Sequence, residues 1–154
     1  MDEFPLEPTI GISTMTIVYL VGGLLAFIVL AVLIWKLKRA LSRPELYGMT
    51  REEIAKRWQQ VRLTAKQGTM GAKVAVMEAD TLLDSALKSL SMPGMSLGER
   101  LKVACYKYPN LRSVWWAHKL RNQLVHEASF QLSQHQANSA LDEFERALKT
   151  LNLL

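Results

Sequence analysis

The residues best suited to chemistry lie in one stretch, Trp115-Trp116-Ala117-His118-Lys119-Leu120-Arg121-Asn122-Gln123-Leu124-Val125-His126-Glu127. Wound as a helix at about 100° per residue, it places Trp115, His118, Asn122 and His126 along one side. Arg121 falls beside that side, and Leu120 and Leu124 point elsewhere. Histidine exchanges a proton near neutral pH, and a guanidinium bonds two oxygens of a phosphate at once. The set therefore suits acid–base work on an anionic substrate. It also has a purely structural reading. Polar groups inside a bundle are costly unless paired, so Asn122 and His126 bonding each other, or a neighbouring carbonyl, would simply fix the packing.

The other reactive side chains offer less. Asp80 and Asp84 stand four residues apart on one helical face and read as a solvated edge rather than a metal pair. His118 and His126 are separated by eight residues, about 12 Å of helix, too far to share one ion. His135 sits in a cap region and reads as exposed. Cys105 is the only cysteine. It excludes an intrachain disulfide, fits a reducing compartment and reads as a small core residue. Gly68 and Gly71 lack the spacing and the lysine of a phosphate loop. The sequence thus calls for no metal and no cofactor.

The elements that must position these residues read as helices throughout. Thr50-Arg51-Glu52-Glu53 has the form of a capping box, followed by Ile54, Trp58, Val61 and Ala65 at helical spacing. After a fray near Gln67-Gly68-Thr69, a second helix is expected from about Met70 to Leu90. Its apolar stripe is Val76, Ala79, Leu83, Ala86, Leu87 and Leu90, and Pro93-Gly94 breaks it. Ser96-Leu97-Gly98-Glu99 opens a short third helix, which stops at Tyr108-Pro109-Asn110. A fourth helix, about Leu111 to Ala128, carries the candidate residues opposite Val114, Ala117, Leu120 and Leu124. A fifth begins at Ser133-Gln134-His135-Gln136 with the stripe Ala137, Leu141, Phe144, Leu148 and Leu151. No strand alternation or hairpin signal interrupts the series, so the expected class is all-α, a bundle of four to five helices.

Ahead of the bundle runs Thr16 to Trp35, TIVYLVGGLLAFIVLAVLIW, twenty residues without a charge. A helix of that length is about 30 Å long, the depth of a bilayer's hydrocarbon core. Asp2, Glu3 and Glu7 precede it, and Lys36, Lys38, Arg39 and Arg43 follow it. Basic flanks stay on the cytoplasmic side, so the N-terminus is expected outside and the bundle in the cytoplasm, beneath the cell membrane. An acidic start and a long apolar core argue against a cleaved signal peptide. Gly22 and Ala26 form a weak small-xxx-small pair. The expected organisation is a tail over 1–11, a transmembrane helix over 12–42, a linker over 43–49 and a helical domain over 50–154. From residue 45 onward there are 15 Lys and Arg against 11 Asp and Glu. That mild basicity suits RNA, anionic headgroups or neither.

Arg121-Asn122-x-x-x-His126 resembles the Arg-x(4–6)-His motif of the HEPN superfamily of all-α domains. The polar residue after the arginine fits the pattern. So does the setting, with the motif in a penultimate helix, a short loop and a closing amphipathic helix. The resemblance covers about Trp115 to Leu151 and is architectural from Thr50 to Asn110; a membrane anchor departs from it. It implies one of two functions. Many HEPN domains are metal-independent endoribonucleases that work as homodimers, with arginine and histidine of both copies facing one cleft. Others dimerise, or bind RNA or a protein partner, without catalysis. Under the first, His126 would be the base, Arg121 the phosphate clamp and Asn122 a group that orients His126 or holds a phosphate oxygen. His118 would be a second acid–base group, and Trp115 or Trp116 a surface for a base.

Overall fold

The computed structural model describes residues 14–41 and 46–154. The expected tail over 1–11 and the boundary at Pro44 lie outside them. The chain divides into two units, 1–42 and 43–154. Among its described residues the first is a single helix, α1 (Thr14–Leu41). Its Met15–Leu37 stretch has a mean hydropathy of 3.0, and none of it is buried. It is therefore one N-terminal helix long and apolar enough to cross a membrane.

The second unit is all helical among its described residues. Its elements are α2 (Arg51–Thr64), α3 (Gly68–Ser89), α4 (Leu97–Lys107), a 3-10 turn (Pro109–Ser113), α5 (Val114–His126) and α6 (Gln134–Thr150). The cap signals explain most of the starts. The Glu53 N–H donates to Thr50 Oγ1 and the Thr50 N–H to Glu53 Oε2, closing the box at α2. Ser133 and Gln136 repeat it at α6. At α4 the box is half made. Ser96 Oγ accepts from the Glu99 N–H, but Glu99 turns its carboxylate to the Met95 N–H instead. α3 and α6 end alike. Ser91 and Asn152 take the left-handed conformation, and the next N–H reaches back to Leu87 O and Leu148 O, satisfying carbonyls the helix leaves open.

α3 is the central element and packs against α2, α4, α5 and α6. Val76, Ala79, Leu83, Ala86 and Leu87 are fully buried on it, facing Phe144, Leu141 and Leu148 of α6 and Val114 and Ala117 of α5. Two boundaries differ from the sequence reading. α3 starts at Gly68 with no side-chain cap. Here α2 and α3 meet so tightly that a Cβ on Gly71 would lie 2.3 Å from the Thr64 carbonyl oxygen. α5 starts at Val114 rather than Leu111, because Pro109 opens a 3-10 turn whose Leu111 is buried. Of the expected linker, Leu46 to Met49 is tied to the end of α3. The Tyr47 N–H donates to Ser89 O (2.6 Å) and the Met49 N–H to Ser89 Oγ (3.1 Å), while Leu46 and Met49 pack on the core.

Candidate functional site

The candidate residues of α5 meet a carboxylate from α3. Asp80 is 4% exposed, one of three buried polar residues among those described. Its Oδ1 lies 2.7 Å from His118 Nδ1. A carboxylate only accepts, so His118 donates from Nδ1, and in the neutral ring Nε2 carries the lone pair. Asn122 Nδ2 stands 3.3 Å from that Nε2 and donates to it. Asn122 Oδ1 then accepts from Arg121 Nη1 at 3.2 Å. Arg121 completes the circuit through its charge, with Nε 3.3 Å from Asp80 Oδ2. The four side chains form a ring closed by three hydrogen bonds and one ion pair. One donor is poorly placed: Arg121 Nε is buried and makes no hydrogen bond. Trp115 sets the edge of the ring, its indole 5.9 Å from the imidazole in a T-shaped contact.

The ring forms one wall of an open groove of about 440 Å3, lined by Asp80, Thr81 and Asp84 of α3, Ser96, Leu97 and Gly98 at the start of α4, and His118, Arg121 and Asn122 of α5. The α4 wall is close: a methyl added to Gly98 would stand 3.9 Å from His118 Nε2. Beside it lies a second clasp. Arg100 is 5% exposed. Its Nε donates to Asp84 Oδ1 at 2.8 Å, and its other nitrogens donate to the Gly94 and Met95 carbonyls. Lys88 also pairs with Asp84. Burial pushes the Asp84 carboxyl up, but the hydrogen bonds and charges of Arg100 and Lys88 outweigh it and hold the group below its ordinary value.

The sequence-derived residues thus separate. His118, Arg121 and Asn122 are brought together in the ring, with Trp115 against it. His126 does not line the groove; it is exposed at the end of α5, and no hydrogen bond or ion pair joins it to another described residue. Asn122 bonds His118 and Arg121 rather than His126. Trp115 is half-buried against the core, while Trp116 is 45% exposed. His135 is exposed, bonded to Ser139. Cys105 is buried, and burial pushes its thiol up against the opposing hydrogen bond of Trp115 and charge of Arg112.

Two participants were missed by sequence reasoning. Asp80 is a buried ring member rather than a solvated edge. The signal was present, since Asp80 stands four residues after Val76 and three before Leu83, inside the apolar stripe. Arg100 had no comparable signal, because its partners are Asp84 of another helix and two loop carbonyls. Among the described residues no cluster of His, Cys, Asp and Glu is arranged to hold a metal ion. The chain matches no protein-family model, no curated protein and no solved structure.

Proposed function

We propose that this is a single-pass protein of the cell membrane, with its N-terminus outside and a HEPN-like helical module in the cytoplasm that dimerises and binds RNA. The observation that carries this reading is the outer ridge of α5. Trp116, Lys119, Gln123 and His126 follow one another there at spacings of three, four and three residues, and all are exposed, as is Arg112 in the 3-10 turn ahead of them. A cation-flanked tryptophan gives bases a face to stack on and phosphates a charge to meet. An open hollow of about 410 Å3 lies along it, lined by Trp116, Lys119, Leu120, Asn122 and Gln123. The HEPN resemblance rests on Arg121-Asn122-x-x-x-His126 and its setting in a penultimate helix before a closing amphipathic one, and dimerisation is taken from that resemblance.

A second reading, a metal-independent endoribonuclease using Arg121 and His126, is favoured by the free imidazole of His126 and the incompletely bonded guanidinium of Arg121. Within one copy Asp80 draws Arg121 inward, and His126 lies about 7.5 Å farther along the helix axis. A composite site would therefore need His126 of a second copy.

The test uses the full chain in nanodiscs and a labelled single-stranded RNA, read by fluorescence anisotropy in the presence of EDTA. Trp116→Ala and Lys119→Ala should each weaken binding about tenfold, the lower part of the range for a lost stacking platform. Binding should also fall steeply with salt. Absence of binding, or binding indifferent to both substitutions, refutes the RNA reading. RNA cleavage that His126→Ala abolishes moves the assignment to the nuclease.

A further inference from the structure

α4 packs Leu97, Arg100, Leu101, Ala104 and Cys105 inward. At about 100° per residue its opposite side carries Glu99, Lys102, Val103 and Tyr106, with Lys107 at the edge. Tyr106 is 93% exposed and Val103 40% exposed. Glu99 reaches back to the Met95 N–H, so Met95 stands at the head of this outer side, 92% exposed. Met95 is exposed without being loose. Its N–H is held by Glu99 Oε2 at 2.7 Å, and its carbonyl and that of Gly94 accept from Arg100. Gly94, at φ 144°, lies so close to α4 that an added Cβ would stand 2.9 Å from the Arg100 backbone nitrogen. Burying a guanidinium costs stability unless it is paired and bonded. Arg100 is bonded to Asp84 and to both loop carbonyls, and the backbone it fixes aims one apolar side chain away from the protein.

We propose that this outer face of α4 docks on an anionic lipid surface, with Met95 and Tyr106 entering the boundary between headgroups and acyl chains and Lys102 and Lys107 meeting the headgroups. The proposal rests on α1 spanning that bilayer. Chain length supports it. Tyr47, itself 68% exposed, is bonded to Ser89 O, and Met95 follows Ser89 by six residues. Leu41 and Tyr47 are also six residues apart, a stretch that reaches about 20 Å at most. A short tether gives the module a millimolar effective concentration at the bilayer, so a patch too small to recruit a free protein suffices. Charge supports it too. The outer face has two exposed lysines against one carboxylate, and that carboxylate is taken by the Met95 N–H. Each lysine near an anionic surface strengthens docking about fivefold. Tyrosine belongs at this depth of a bilayer, and an amphipathic helix lies in its plane.

Three methionines make the test internal to the wild-type chain. Met15 begins the apolar stretch of α1, Met95 heads the docking face, and Met70, 70% exposed, lies 19 residues before Ser89 on α3, about 28 Å of helix away. The full chain with carbon-13 methionine methyls is placed in nanodiscs of phosphatidylcholine with phosphatidylserine. NMR line broadening is read with a lipid nitroxide near the headgroup end of the acyl chain, and separately with a soluble gadolinium chelate. The lipid label should broaden Met15 and Met95 and spare Met70; the chelate should broaden Met70 and spare Met95. Lys102→Gln combined with Lys107→Gln should lower the ratio of docked to free module about twentyfold, as should discs of phosphatidylcholine alone. Trp116→Ala and Lys119→Ala should leave the Met95 signal unchanged, so docking and RNA binding by the α5 ridge fail separately. Met15 broadened by the lipid label while Met95 behaves like Met70 overturns the proposal and leaves the span standing. Met15 untouched by lipid overturns both. Met95 shielded from the chelate but also from the lipid label overturns it in favour of a protein contact, and Met95 open to water until single-stranded RNA is added overturns it in favour of an RNA surface.

Discussion

Removing the Asp80 carboxylate should cost more than any surface substitution in the helical unit, and the cost should run through His118 rather than Arg121. The His118 contact is 2.7 Å long, between side chains 13% and 6% exposed. A hydrogen bond to a charged group in such a place is worth about 1.5–3 kcal/mol, and the orphaned Nδ1–H adds its own desolvation. The Arg121 contact is longer, at 3.3 Å, lacks hydrogen-bond geometry and involves a side chain 30% exposed. Water screens it, so about 0.5–1 kcal/mol is the appropriate scale. Asp80→Ala should then destabilise by about 3 kcal/mol, the lower end for a broken buried pair. Asp80→Asn keeps an acceptor for Nδ1–H and should cost about half as much.

The assay is urea unfolding of the full chain in nanodiscs, followed by circular dichroism, with midpoints compared at constant m. Double-mutant cycles divide the total. Coupling between Asp80→Ala and His118→Ala should be about 2 kcal/mol, and that between Asp80→Ala and Arg121→Ala below about 1 kcal/mol. A loss under about 1 kcal/mol for Asp80→Ala would show the carboxylate to be solvated. A larger coupling to Arg121 than to His118 would refute the ring as drawn, because the ion pair would then be the principal bond.

Two further outcomes follow from other parts of the fold. Gly71→Ala should destabilise by about 1–3 kcal/mol, since its Cβ would press on the Thr64 carbonyl oxygen, which is backbone and cannot swing away; an unchanged urea midpoint would refute this. Acid sensitivity should come from Asp84, and from Glu145, which the Lys149 hydrogen bond lowers most, against burial and with help from Arg62. A carboxyl lowered on folding stabilises above its unfolded value, near pH 4, and that contribution is lost as pH falls through the folded value; Asp84→Asn should flatten the acid limb of the midpoint-versus-pH curve.

The course of the chain could be read because its signals are local. A cap and an apolar stripe sit within one helix, so α2 and α6 begin at Thr50 and Ser133 as read. The 3-10 turn at Pro109 was not legible, because burial of Leu111 against the core, a tertiary fact, decides how the chain enters α5. The site was half legible for the same reason. Helical spacing put Trp115, His118, Asn122 and His126 on one side of α5, but it could not say how far the neighbouring helices cover that side. Cover extends over His118 and Asn122, where α3 and the start of α4 wall the groove, and stops short of His126.

Asp80 is where the two kinds of information meet. On its own helix it is a polar residue within an apolar stripe, a position that costs stability unless a partner is supplied. The partner comes from a segment 38 residues later in the chain. The resulting bond does two things at once. It clasps α5 to α3, and it selects the His118 tautomer that leaves Nε2 facing Asn122 at the groove. A lock serving packing alone would be satisfied by the first of these. The second sets a ring nitrogen and an amide, rather than packed apolar atoms, in the wall of the groove.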